Sequence, residues 1–132
     1  MSLLLLDTTF LIDAERGDGE LDQVIDDDDD VAIAAVTIAE LLVGVRLASG
    51  ERRDARRAYV DRILESVPII AYDRNVAVEH AELLVAVRSQ GRPRGAHDLL
   101  IAATARATGR RIVTADRTAF TDLPEVATIS HR

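Results

Sequence analysis

The chain has 132 residues, the usual length of one domain, and its formal net charge is −7. All 16 basic residues are arginine and cysteine is absent, which excludes disulfides, thiolate metal sites, Walker P-loops and Schiff-base catalysis by lysine. The acidic balance also excludes a uniformly basic nucleic-acid binder, although it allows a local basic patch.

The first element is an unbroken apolar run, LLLL at residues 3–6, which ends at the carboxylate Asp7. We predict a buried strand there, because the run is short and apolar throughout. Thr8 or Thr9 could cap the helix that follows, and Asp7 could do so itself. Residues 14–30 have the weakest pattern. We expect a short helix there and then a DDDDD loop, as a solvated acidic surface rather than a metal site.

The middle of the chain predicts one strand and two helices. VAIAAV at 31–36 has the composition of a buried strand, and TIAELLVGVRLAS at 37–49 has that of a helix. Thr37 and Glu40 have the spacing of a capping box at the start of that helix. ERRDARRAYVDRILESV at 51–67 predicts an amphipathic helix. Its apolar stripe comprises positions 55, 59, 60, 63, 64 and 67.

The last part of the chain continues the alternation. Strands are predicted at 68–72, 111–115 and 126–129, and helices at 73–91 and 98–109, each of which begins at an aspartate and ends at a glycine. We therefore expect a single α/β domain over the whole chain, 1–132, with a mostly parallel central sheet flanked by helices. No apolar run approaches the roughly 20 residues that span a bilayer, so we expect no membrane segment. The lack of cysteine fits a cytoplasmic protein.

Four carboxylates stand just after a predicted strand or near the start of a predicted helix: Asp7, Glu40, Asp98 and Asp116. In a parallel α/β fold these positions share the edge at which the strands end. Carboxylates gathered at one edge repel one another, and an all-oxygen ligand set suits a hard cation, Mg²⁺ or Mn²⁺. Each residue also has a structural alternative. Asp7 and Asp98 could be helix caps. Glu40 could only complete the capping box, and Asp116 could start a turn.

Four segments resemble the successive motifs of PIN-domain ribonucleases, most closely the VapC toxins of toxin–antitoxin pairs. They are LLLDTTFLID, VTIAELLVGV, GRPRGAHDLLIAATARATG and RIVTADRTAF, and together they cover essentially the whole chain. The resemblance implies a PIN-like three-layer fold and a Mg²⁺-dependent endoribonuclease in which Mn²⁺ may substitute. It also implies a structured RNA substrate such as tRNA or rRNA, a cognate antitoxin that inhibits cleavage, and a homodimer.

The resemblance also implies roles for individual residues. The family's acidic catalytic set falls on Asp7, Glu40, Asp98 and Asp116. Asp7 and Asp98 would be the most direct metal ligands, with Asp116 beside them. Thr114 stands where the family often has a hydroxyl near the site, and we expect it to contact the substrate. A metal-activated water would attack the phosphodiester and leave a 5′-phosphate and a 3′-hydroxyl. Glu40 or Asp116 would orient that water or accept its proton.

Substrate binding needs positive charge near this edge. Arg92 and Arg94 shortly precede the predicted helix 98–109, and they are our stronger candidates for contact with RNA. A second group of arginines could form a phosphate rail, or could equally pair with neighbouring acids or face an acidic partner. It comprises Arg46, Arg52, Arg53, Arg56, Arg57 and Arg62. The three histidines are assigned no role.

Other functions use the same residues differently. A PIN-like DNA nuclease or an RNA-processing factor would need similar carboxylates, although the short single domain favours the toxin. A non-catalytic α/β binding module would use the acids as caps and surface groups, and would lose stability but no activity when they are changed. The apolar stripes at 37–48 and 55–67 could, as in VapC relatives, form the groove that accepts an antitoxin helix.

Overall fold

The computed structural model describes residues 1–17, 25–91, 94–116 and 118–130. These residues form five strands and five helices. The strands are β1 Leu3–Leu6, β2 Asp30–Ala34, β3 Ile69–Ile70, β4 Arg111–Thr114 and β5 Thr128–Ser130. The helices are α1 Thr8–Arg16, α2 Ala35–Leu47, α3 Gly50–Ser66, α4 Arg74–Gln90 and α5 Ala96–Thr108. No helix in these segments is both long and apolar enough to cross a bilayer.

The strands form one parallel sheet in the order β3-β2-β1-β4-β5. β1 lies at its centre, where Leu4 pairs with Val31 of β2 on one side and with Arg111 of β4 on the other. Since parallel strands all end at the same edge, the carboxyl ends of β2, β1 and β4 are neighbours. The predicted parallel α/β sheet is confirmed.

Side chains of β1 point alternately into two hydrophobic cores. Leu5 packs in the core that α4 and α5 cover, together with Leu83 and Ile101. Leu4 and Leu6 pack in the core that α1, α2 and α3 cover. Full burial of one such side chain contributes roughly 1.5–3 kcal/mol. Helices therefore cover both faces of the sheet, which gives the expected three layers.

The start of α2 differs from the prediction. β2 ends at Ala34 rather than at residue 36, and α2 begins at Ala35 rather than at Thr37. Ala34 occupies the N-cap position and makes no side-chain capping bond, so the predicted capping box of Thr37 and Glu40 is wrong. Thr37 is instead fully buried inside the helix. An apolar run fits a buried strand and a buried helix start equally well, so its pattern could not place this boundary.

The caps of the other helices were partly predicted. Asp73 caps α4 by accepting a hydrogen bond from the backbone N–H of Val76, and Gly91 ends this helix in the left-handed region, as expected. Gly95, not Asp98, occupies the N-cap position of α5, so Asp98 lies in the first turn instead. β3 is shorter than the predicted 68–72, and β5 lies slightly later than 126–129.

The acidic loop after α1 is largely exposed, as predicted. Asp26, Asp27 and Asp28 are exposed, whereas Asp29 accepts hydrogen bonds from the backbone N–H groups of Ser2 and Asp26. These bonds hold the pKa of Asp29 below its ordinary value. The last aspartate of the DDDDD run begins β2. Residues 18–24, within the weakly predicted segment, lie outside the described residues.

Candidate active site

Four carboxylates meet at the edge where β1, β2 and β4 end. Asp7 follows β1 directly, and Asp116 follows β4 two residues after its end. Glu40 lies in α2, the helix that continues from β2, and Asp98 lies in the first turn of α5. Since β1 lies between β2 and β4 in the sheet, this topology brings together residues more than one hundred positions apart in the sequence.

Asp7 is a buried carboxylate held by hydroxyl groups. It is 2% exposed and is the N-cap of α1, where Oδ1 accepts a hydrogen bond from the backbone N–H of Thr8 at 2.8 Å. Oδ2 accepts from the hydroxyls of Thr9 at 2.8 Å and Thr114 at 2.7 Å. Burial raises the pKa of Asp7 above its ordinary value, and the three hydrogen bonds oppose that rise. The alternative role of Asp7 as a helix cap is therefore confirmed. The same carboxylate also lies close enough to Glu40 and Asp98 for their charges to interact.

Asp98 experiences the charge of all three other carboxylates. Its pKa is raised to about 6: desolvation by burial is the largest cause, and repulsion from Asp7, Glu40 and Asp116 also contributes. Its Oδ2 also lies so close to the start of α5 that a Cβ at Gly95 would stand 3.0 Å from it. The causes of this shift place Asp98 within the electrostatic influence of Asp7, Glu40 and Asp116.

Glu40 is held from two sides. Its Oε1 accepts a hydrogen bond from the hydroxyl of Thr8 at 2.7 Å, and its Oε2 lies 3.4 Å from Nδ1 of His97. Thr8 therefore replaces the expected partner Thr37, whose hydroxyl oxygen lies 3.5 Å from that of Thr8. His97, which we had assigned no role, stands beside Glu40 at the start of α5.

Asp116 does begin a turn, as its structural alternative stated. Its Oδ1 accepts hydrogen bonds from the backbone N–H and the hydroxyl of Thr118 at 2.9 and 3.0 Å, and from the backbone N–H of Ala119 at 3.2 Å. These bonds lower the pKa of Asp116. Its own backbone N–H donates to Thr114 Oγ1 at 3.0 Å. The turn thus fixes an ionised carboxylate beside the hydroxyl that holds Asp7.

Several arginines that were candidates for RNA contact make hydrogen bonds or ion pairs within the protein instead. Arg94 donates to the backbone carbonyls of Thr118 and Thr121, and Arg92 lies outside the described residues. Within the second arginine group, Arg53 donates to the carbonyls of Ala48 and Arg46. Arg56 and Arg57 form ion pairs, with Glu15 at 3.5 Å and Asp61 at 3.6 Å respectively. This geometry favours a structural reading of those three side chains over a phosphate rail.

Two hydroxyl residues of the site, Thr8 and Thr9, were considered in the sequence only as helix caps. Thr9 also lies 3.2 Å from Thr114, hydroxyl oxygen to hydroxyl oxygen. The contact of Thr8 with Glu40 and that of Thr9 with Thr114 join elements far apart in the chain. The spacing of residues in the sequence could therefore not predict them. Their position directly after Asp7 was the one available indication.

The donor set of this edge fits a hard divalent cation. Its oxygens come from carboxylates and hydroxyls, and the pKa of Asp98 is raised first by burial and then by repulsion from the neighbouring acids. Such a set suits Mg²⁺ or Mn²⁺ better than a metal that prefers nitrogen or sulfur. Asp7, Asp98 and Asp116 are the residues that could hold the ion, with Glu40 beside them.

Comparisons with known proteins agree with this geometry. The family model described as the PIN domain matches residues 4–126. The tRNA(fMet)-specific endonuclease VapC of Shigella flexneri is 30% identical over 84 residues, which are 64% of this chain and 62% of that endonuclease. The matched region therefore spans less than two thirds of that relative's length.

Several solved structures with similar folds belong to toxin–antitoxin systems. VapBC-5 from Mycobacterium tuberculosis contains a chain with a TM-score of 0.80 and 29% identity, over 98% of this chain and 99% of that one. VapBC2 from Rickettsia felis, bound to a DNA fragment from its promoter, contains one with a TM-score of 0.86 over 97% and 98%. At 23% identity, the second likeness concerns the fold alone.

Proposed function

The chain belongs to the PIN-domain family, and from that premise we propose that it is a Mg²⁺-dependent endoribonuclease, the VapC-type toxin of a toxin–antitoxin pair. The observation that carries this proposal is the meeting of Asp7, Glu40, Asp98 and Asp116 at one edge, with the pKa of Asp98 raised to about 6. A bound cation relieves the repulsion among such carboxylates, and a phosphodiester needs that cation to approach them.

The roles follow from burial and hydrogen bonding. Asp7 and Asp98 would hold the ion, with Asp116 beside them. Hydroxyl and backbone donors keep the carboxylates of Asp7 and Asp116 in place for that role. Mg²⁺, when bound, supplies positive charge for the scissile phosphate and makes water a stronger acid. Glu40 is only partly buried and accepts the proton of the attacking water. In-line attack breaks the bond from phosphorus to the 3′-oxygen, and leaves a 5′-phosphate and a 3′-hydroxyl.

The choice of RNA as substrate is supported by the relative that cleaves tRNA(fMet). A structured RNA, tRNA or rRNA, is the proposed target. Because such RNA is cytoplasmic, we also propose that the protein acts in the cytoplasm. Arg92 and Arg94 stay the predicted phosphate contacts. Arg94 holds the turn that contains Thr118 by donating to the carbonyls of Thr118 and Thr121, so a contact with RNA would add to these bonds. Thr114 donates to Asp7, so we assign it to holding that carboxylate rather than to contacting the substrate.

The proposed inhibitor is a cognate antitoxin, since several similar solved structures are toxin–antitoxin complexes. A pocket of about 80 Å³ between α1, α2 and α3 supports its location. Ile12, Leu41 and Val60 line this pocket, together with the acids Glu15 and Glu40. Arg16 and Arg56 line the pocket as well, and Arg56 pairs with Glu15. Apolar walls with charges of both signs fit a side chain from one face of an amphipathic helix. A homodimer is also proposed, and light scattering of the free protein tests it.

The test is cleavage of total cellular RNA by the purified protein with Mg²⁺, with Mn²⁺ and with EDTA. Asp98→Asn is the site variant. Asp61→Asn is the matched control, because Asp61 is an exposed acid on α3 that pairs with Arg57. We expect discrete fragments from the wild type and from Asp61→Asn with metal only, and none from Asp98→Asn.

The alternative functions give different results in the same assay. Cleavage of single-stranded or duplex DNA in preference to RNA would identify a DNA nuclease. A third result is that the wild type leaves both RNA and DNA intact and releases no heat with Mg²⁺ or Mn²⁺ in calorimetry. That result would identify a binding module in which the acids have structural roles only.

A further inference from the structure

The carboxylate of Glu40 lies on a helix and depends on other elements for its orientation. The hydroxyl of Thr8, at the start of α1, donates to Oε1 at 2.7 Å. A hydrogen bond of this length to a carboxylate belongs to the stronger, charge-assisted class. The imidazole of His97, at the start of α5, faces Oε2 at a longer 3.4 Å and is exposed. Of these two contacts, the one from Thr8 is therefore the firmer.

Thr8 contacts two of the acids at once. Its backbone N–H donates to Asp7 and its side-chain hydroxyl donates to Glu40. Thr8 is only 6% exposed. Water therefore competes little for its hydroxyl, and packing sets the direction in which the hydroxyl points. The residue thus fixes the position of Glu40 relative to the carboxylate that ends β1.

We propose that Thr8 is a positioning residue, which aims the Glu40 carboxylate at the attacking water and contributes to catalysis only through Glu40. This inference rests on the proposed nuclease function. Without the hydroxyl, Oε1 loses its short hydrogen bond and the Glu40 side chain gains rotamers that point away from the edge. Partners of this kind in metal sites typically cost about 10–100-fold in activity when they are removed.

The variants follow from the shape of the side chain. Thr8→Val keeps the volume and removes the hydroxyl, while Thr8→Ser keeps the hydroxyl and removes the methyl group. Thr104→Val is the matched control, because Thr104 is also a buried helical threonine, and its hydroxyl donates only to the carbonyl of Leu100 in its own helix. Thr8→Ala serves in place of Thr8→Val if circular dichroism shows that the valine variant is unfolded.

The kinetic expectation separates catalysis from packing. Thr8→Val should lower kcat by at least about tenfold and leave KM within about twofold, since Glu40 acts on the water rather than on binding. Thr8→Ser should stay within about threefold of the wild type, and Thr104→Val within about twofold. An unchanged kcat in Thr8→Val, or an equal loss in Thr8→Ser, would overturn the proposal.

A second readout needs neither metal nor substrate. Urea unfolding in EDTA of Thr8→Val, Glu40→Ala and the double variant measures whether the two side chains are coupled. We expect the double variant to lose less stability than the sum of the two single losses. Additive losses would refute the contact itself. If the stability losses are coupled but the wild-type protein cleaves no RNA, the catalytic role and the proposed function are both refuted. Thr8 then has a structural role only.

Discussion

Replacing Asp98 by asparagine should stabilise the metal-free protein, although it removes a charged residue from a helix start. In the wild type Asp98 is ionised at pH 7.5 beside three other acids, and these neighbours together with burial raise its pKa to about 6. A carboxyl that titrates near 6 instead of 3.8 costs the folded protein at most about 3 kcal/mol above pH 6. The first turn of α5 favours the negative charge by about 0.3–1 kcal/mol, and partial exposure reduces the penalty further. We therefore expect Asp98→Asn to be more stable by about 1–2 kcal/mol.

The stability difference between Asp98→Asn and the wild type should depend on pH in a defined direction. Because the folded-state pKa of Asp98 lies above its unfolded value of 3.8, the ionised carboxyl destabilises the fold above pH 6. Below about pH 4 both states are protonated and the penalty disappears. The stability difference between Asp98→Asn and the wild type should therefore shrink between pH 6 and pH 4. At pH 7.5 it should appear as a melting temperature higher by about 3–8 °C.

Thermal melts in EDTA between pH 4 and pH 8 provide the assay, and Asp61→Asn is the control. That variant should change the stability by less than about 0.5 kcal/mol at every pH. Saturating Mg²⁺ should reverse the order, since an ion at 100 times its Kd stabilises the wild type by about 2.7 kcal/mol. A variant that is less stable than the wild type in EDTA at pH 7.5, with a difference independent of pH, would refute the reasoning.

Four further predictions concern the hydroxyl contacts and the core. Thr114→Val removes a hydrogen bond to Asp7 and should slow RNA cleavage by about 10–100-fold; an initial rate equal to that of the wild type would contradict this. Phe10→Ala empties a fully buried site and should cost about 3–5 kcal/mol in urea unfolding, so a loss below about 1 kcal/mol would argue against the described packing. Tyr59→Phe removes a 2.7 Å hydrogen bond from the hydroxyl to the carbonyl of Leu11 and should cost about 1 kcal/mol. The wild-type Tyr59 should also resist ionisation in an absorbance titration until about pH 12, and ionisation near pH 10 would contradict its burial.

The sequence predicted the parts of the fold that follow from local pattern. The apolar run that ends at Asp7 is the central strand, and the alternation of strands and helices produced a parallel sheet. A strand that ends in a carboxylate delivers that carboxylate to the ligand-binding edge, and this placed Asp7 and Asp116 correctly. Asp98 lies in the first turn of α5, as the same reasoning predicted. Glu40 does not lie in the predicted first turn, because α2 begins at Ala35 and places it one turn further along the helix.

Other features could not be predicted because they depend on contacts between distant residues. The start of α2 has no side-chain cap, so neither Ala34 nor Ala35 marks the boundary. The hydroxyl of Thr8 meets Glu40 across 32 positions, and that of Thr114 meets Asp7 across 107. Helical spacing paired Glu40 with Thr37, whereas the folded chain offers the carboxylate a nearer donor from another helix.

The central place of β1 also determines when this protein can begin to act during its synthesis. β1 is made first and can pair early with β2, but its other side stays open until β4, which begins at Arg111, has been made. Only then does Thr114 reach Asp7, and Asp116 comes to the same edge. A growing chain therefore carries Asp7 and Glu40 without the rest of the site. The proposed nuclease cannot cut RNA before β4 and Asp116 have been made, which delays any damage to the translation machinery that produces it.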